Sequence, residues 1–285
     1  MPVYQIAYHT QNLYSSPVSD VVLEFLILPA TLSSQKIERL EYHFEPDSTY
    51  YSGKNFFGFE FLRFRLKEIR ESFSFTLNAD VHREKTNPYN FQCLPWSEEK
   101  NILLSDSFRI DNYLFLAEDE PTRLPLDYKT PKREQKENTF DFARRITGFV
   151  HQEIKYDSGI TDPHRVIEET LNEKRGVCQD LSHLMIAILR KNGIPSRYVS
   201  GYLNQGDQVV GAGAVHAWVE VLIPGVGYIG FDPTNNLLED HHYIKIAHGQ
   251  DIRDCNTIKG IMKGAGTNKT SYEVSVQEQN IACDQ

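Results

Sequence analysis

The hydrophobic period of the chain changes once between residues 176 and 232, and that change dictates a helix followed by an antiparallel hairpin. Val177, Leu181, Leu184 and Ile188 recur at helical spacing, with Met185 and Leu189 widening the apolar stripe. Asn192-Gly193 ends the helix and Pro195 blocks its continuation. The period then falls to two, so strands are expected at about 196–203, 214–223 and 228–232. In the middle strand Val215, Ala217, Val219 and Val221 share one face, and His216, Trp218, Glu220 and Leu222 the other. The turn Pro224-Gly225-Val226-Gly227 sets the register. With Leu222 opposite Tyr228, Trp218 stands opposite Asp232, and His216 opposite Thr234. His216 and Asp232 become same-face diagonal neighbours, about 7–8 Å apart at the backbone and within side-chain reach.

Upstream, strand signals dominate to about residue 90: the apolar run 21–28 ending at Pro29, the alternation Ile37–Phe44, the aromatic stretch Asn55–Leu66, and Phe73, Phe75 and Leu77 between polar residues. Short strands separated by turn residues suggest a β-sandwich. Prolines 88, 95, 121, 125 and 131 and a charged tract mark a connecting segment. From Thr139 the pattern is helical, with Phe140, Ala143, Ile146 and Val150 on one face. A second helix is expected over 163–171, with Asp162 as its N-cap and Pro163 at the first position. The expected organisation is a β-rich domain over 1–90, a connection over 91–135, and a core with a C-terminal extension over 136–285.

The formal charge of -9 and pI near 5.6 argue against a nucleic-acid partner and, more weakly, against an anionic membrane surface. No stretch approaches the roughly 20 apolar residues of a spanning helix, and the N-terminus does not read as a secretory signal. Cysteines 93, 178, 255 and 283 are too widely spaced for paired zinc ligation or a disulfide framework. A reducing, cytoplasmic setting is expected, in which a thiol stays free.

Cys178 falls in the first turn of the helix, directly after Gly176-Val177. Unpaired N–H groups and the positive helix end favour a thiolate there, and the same groups suit an oxyanion beside the sulfur. Alone, such a cysteine reads more readily as core. Combined with His216 and Asp232 it supplies thiol acyl transfer: a nucleophile, a proton carrier, and a carboxylate that orients the imidazole. Asp180 reads as a partner of the helix end or of Arg197. Trp218 is a candidate wall of the acyl pocket, with core packing equally open, and Tyr156 a candidate oxyanion donor. His241, His242 and His248 are set aside as metal ligands, because adjacent strand residues point to opposite faces.

These motifs carry a resemblance. GVCQDLSHLMIAILRKNGIPSRYVSGYL followed by AVHAWVEVLIPGVGYIGFDPTNN resembles the bacterial transglutaminase-like superfamily: a cysteine opening a helix, a GIPxR turn, a HAW strand and a DPT turn. YIKIAHGQDIRD and the β-rich start resemble the segments that accompany that core. The resemblance implies an α+β chain with a papain-related core and a triad of Cys178, His216 and Asp232, acting on peptide or protein amides without cofactor or metal. Three functions compete: a protease or amidase, a transglutaminase joining glutamine to amines, and a protein-binding scaffold without activity.

Overall fold

The computed structural model describes residues 2–67, 70–160, 165–204, 209–211, 213–264 and 267–279. The expected Asp162 cap with Pro163, and Cys283, lie outside them. The first strand, β1 (Val3–Phe25), is the longest element and organises the N-terminal sheet. Together with β2 (Gln35–Glu45), β3 (Tyr50–Lys54), β4 (Glu60–Leu66) and β5 (Arg70–Arg83) it forms the order β2-β5-β1-β4-β3. Its register with β5 shifts between Leu13 and Val18, so the strand leaves one partner and continues beside β4. The sheet is thereby curled, and its two halves face each other as the layers of a sandwich do. Between them Phe25 stacks on Phe75 at 4.7 Å and Phe44 meets Phe64 at 4.3 Å.

The connection carries three short helices, α1 (Trp96–Leu104), α2 (Asp106–Asp111) and α3 (Tyr113–Leu116). Buried Glu99 of α1 accepts from the Thr139 amide and hydroxyl and pairs with Arg133, anchoring this segment to the next helix. That helix, α4 (Thr139–Glu153), is capped by the Asn138 side chain on the Asp141 N–H. A short parallel pair follows, β6 (Lys155–Tyr156) with β7 (Arg175–Gly176), bracketing α5 (Ile167–Glu173). The expected second helix thus starts later: Arg165 and Val166 are not helical, and Val166 is the N-cap.

Helix α6 (Cys178–Lys191) buries every residue from Asp180 to Arg190 against α4 and a five-stranded antiparallel sheet. The sheet order is β11 (Leu237–Leu238), β10 (Gly227–Asp232), β9 (His216–Ile223), β8 (Ser196–Leu203), β12 (Tyr243–Gly249). Tyr228 pairs with Leu222, so the register read from the turn is the one adopted. After α7 (Ile252–Cys255), β13 (Ile258–Lys263) and β14 (Asn268–Gln279) return to the N-terminal sheet and pair with the two halves of β1. Their charged and hydroxylic residues hid this from the periodicity. No helix among the described residues is long and apolar enough to cross a membrane.

Candidate active site

Cys178 occupies the first position of α6, where its N–H has no carbonyl four residues back within the helix. Asp180 secures the entry: its Oδ2 accepts the Val177 N–H at 2.9 Å. This explains Gly176, where a Cβ would lie 2.7 Å from that of Asp180. The expected Arg197 partner is Glu220, not Asp180.

His216 opens β9 and is 1% exposed. Its Nε2 donates to Asp232 Oδ2 at 2.8 Å. Asp232 ends β10 and is buried, yet both oxygens are saturated. Oδ2 also accepts from Asn235 Nδ2 at 2.8 Å and the Tyr243 hydroxyl at 2.9 Å. Oδ1 accepts the N–H groups of Thr234 at 2.9 Å and Asn235 at 3.2 Å. Burial alone would raise the carboxyl pKa, but His216 and these donors hold it below the usual range. For the imidazole, burial pulls down, while the charge and hydrogen bond of Asp232 and then Cys178 push its pKa up to about 10. Nδ1 is buried without a hydrogen-bond partner and, with Nε2 on Asp232, is the ring nitrogen left to face Cys178, which helps raise the imidazole pKa.

Cys178 and His216 open into a cleft of about 800 Å³, within the range of small-molecule sites. Tyr156 lines it, held beside Cys178 because it pairs in parallel register with Gly176; burial and then Cys178 raise its pKa. Trp218 is a correction. It shares a face with His216, their rings 6.4 Å apart, but is fully buried behind it. Its indole N–H donates to Glu239 at 3.0 Å, and it packs with Val199, Leu203 and Tyr243, so it walls no pocket. His241 and His242 lie in a turn, not a strand, with rings 4.1 Å apart; the reason for setting them aside does not hold. With Asp240 they are a possible metal-ligand cluster, and none of the three lines the cleft. Cys255 does line it, but burial pushes its thiol pKa up.

Residues 127–233 match the model of the transglutaminase-like superfamily, a span that contains Cys178, His216 and Asp232. That stretch of the chain is thus similar to the superfamily's core domain. A Mycobacterium leprae protein described as uncharacterized is 28% identical over 285 residues, covering 98% of this chain and 99% of its own. One from Mycobacterium bovis, also uncharacterized, is 33% identical over 177 residues, 59% of this chain and 56% of its own. The crystal structure of a Cytophaga hutchinsonii protein provisionally classed as a cysteine protease superposes with a TM-score of 0.70 at 21% identity, over 99% of this chain and 92% of the other. What that structure shares is the fold. Two residues of this core, Tyr243 and Asn235, hold Asp232 without having been singled out by periodicity. Asn235 lay in the DPTNN motif, but nothing in the sequence aims Tyr243 at Asp232 across two strands.

Proposed function

We propose that this cysteine-dependent enzyme of the transglutaminase-like superfamily hydrolyses amide bonds of peptides or proteins through a thioester on Cys178. One observation carries the reading: a buried imidazole has one nitrogen fixed on a saturated carboxylate and the other left for a cysteine at a helix N-terminus that opens to a cleft. The Cys178 sulfur attacks the carbonyl carbon, and the oxyanion forms beside the N-terminal turn of α6 and the Tyr156 hydroxyl. The C–N bond breaks as His216 delivers its proton to the leaving amine. Water then attacks the thioester, His216 takes the water's proton, and the acid leaves as the thiol is restored. Asp232 keeps the imidazole oriented and supports its cation throughout.

Water is favoured as acceptor because a dedicated cross-linker needs a group that holds and deprotonates a lysine. No carboxylate is found among the described residues lining the cleft. The test supplies a glutamine peptide with millimolar fluorescent amine and compares free acid with amide product. Free acid is expected; predominant amide would make the enzyme a transglutaminase, and no thioester by intact mass would sink both. Iodoacetamide at mildly acidic pH should modify Cys178 before Cys93 or Cys255, whose thiol pKa values burial pushes up.

A further inference from the structure

The cleft has two walls from distant parts of the chain. Tyr156, Cys178, Tyr198 and His216 supply the core wall; β1, β13 and β14 supply the facing one, with Tyr8, Asn12, Tyr14 and Tyr272 prominent. In a chain with 24% charged residues, no Asp, Glu, Lys or Arg occurs among the described lining residues, so the cleft is electrically unlike the surface around it. Away from His216 and Cys178, an ionised group entering it would leave water without finding a counter-charge. The mouth continues the theme: Ile261 and Tyr272, both lining the cleft, are 73% and 56% exposed. Apolar side chains left in water at the rim of a cleft suit an apolar ligand.

Among the polar groups of this lining other than His216, two are buried without a partner. Alternation along β1 turns Tyr8, Thr10, Asn12 and Tyr14 inward while His9, Gln11 and Leu13 face out. The Thr10 hydroxyl is used, donating to the Ser271 carbonyl at 3.0 Å. Asn12 is 2% exposed, and its Oδ1 has no donor. Ser200, on β8 opposite Ala217, is also 2% exposed, and its hydroxyl is unpartnered. A buried carboxamide oxygen without a donor is costly unless a ligand supplies one. A neutral molecule bearing N–H groups, with apolar bulk for the tyrosines, meets every one of these features.

We infer that the cleft takes an uncharged, apolar peptide segment as acyl donor, and that Asn12 is a specificity residue accepting a hydrogen bond from one of its amide N–H groups. The inference rests on Cys178 being the nucleophile of this cleft. It makes the N-terminal sheet half of the substrate site rather than a separate module.

The test uses the full chain and N-acetyl dipeptide probes carrying a chloroacetamide, with leucine, phenylalanine, lysine or glutamate as the recognised side chain. Alkylation of Cys178 is followed by intact mass and normalised to glutathione. Leucine and phenylalanine probes should react at least about tenfold faster than the charged ones. Asn12→Leu keeps the bulk and removes the acceptor. It should slow the neutral probes about tenfold, the worth of one hydrogen bond, while leaving the rate with methyl methanethiosulfonate, which has no N–H, unchanged. Asn12→Asp should shift preference toward the lysine probe. Equal normalised rates for charged and neutral probes on the unaltered protein would overturn the inference, whether or not either variant folds. So would wild-type rates of the neutral probes on Asn12→Leu. Labelling needs no turnover: selective labelling without hydrolysis would sink the hydrolase reading alone, and hydrolysis without selectivity would sink this one alone.

Discussion

His216 and Glu220 stand on the same face of one strand, both buried and both ionisable, and they are finished differently. Glu220 is closed on all sides. Lys245 Nζ lies 2.7 Å from each of its oxygens, and Arg197 adds a third cationic contact. Burial penalises its charge, but Lys245 and Arg197 outweigh that and hold its pKa below the usual carboxylate range. His216 has one nitrogen closed by Asp232 and the other turned to a thiol at a cleft. A buried charge whose every valence is met holds structure together; one with a single valence in reserve is equipped for chemistry. The comparison also separates two uses of desolvation. Around Glu220 it locks an ion network between strands, whereas around His216 it is offset by an aspartate with five donors, so that the proton stays available.

The sharpest break between the two is a pair of substitutions. His216→Ala should lower kcat by about 10⁴-fold or more, measured on any peptide the enzyme turns over, because the proton carrier is lost. Its effect on urea unfolding should be smaller than that of Glu220→Ala. The latter strands Lys245 and Arg197 beside a vacancy and should cost about 3–5 kcal/mol while leaving kcat within about threefold. A large loss of kcat in folded Glu220→Ala would erase the distinction.

Asp232→Asn tests whether the aspartate belongs with His216 or with the lattice of its donors. The analogous change in serine enzymes costs about 10⁴-fold, and a thiol is more acidic, so about 10²–10³-fold in kcat is expected. Kinetics untouched by this change would remove Asp232 from the mechanism.

A further test is the pH dependence of stability. The His216 pKa is raised on folding from an unfolded value near 6.5 to about 10. Its linked stabilisation is therefore complete below about pH 6.5 and is lost as pH rises through the folded value. Comparing urea unfolding of the wild type and His216→Gln, the gap should be widest near pH 6 and narrow toward pH 10. A gap that widened with pH would mean that burial, not Asp232, sets the imidazole.

The site was more legible than the fold around it. His216 and Asp232 could be brought together on paper because strand alternation and a short turn are local rules, and Tyr228 does pair with Leu222. Helix α4 was equally plain, since one apolar stripe from Thr139 defines it. The facing wall was not legible. The inward face of β1 carries Tyr8, Thr10, Asn12 and Tyr14, a polar-aromatic alternation that escapes a search for aliphatic strands. Its partner β14 buries only Val274, so periodicity is silent there too. Trp218 illustrates the converse limit: alternation placed it on the correct face, but which layer covered that face depended on Glu239 and Tyr243, far along the chain.

The Thr10 hydroxyl meets the carbonyl of Ser271 across 261 residues of chain. During synthesis, then, β1 leaves the ribosome with β5 available early but must wait for β14, made at about 5–20 residues per second. Helix α6 and the His216 hairpin can assemble well before that. Cys178 and His216 are thus placed first and the facing wall of their cleft last, so a nascent chain holds the candidate site open before β14 encloses it.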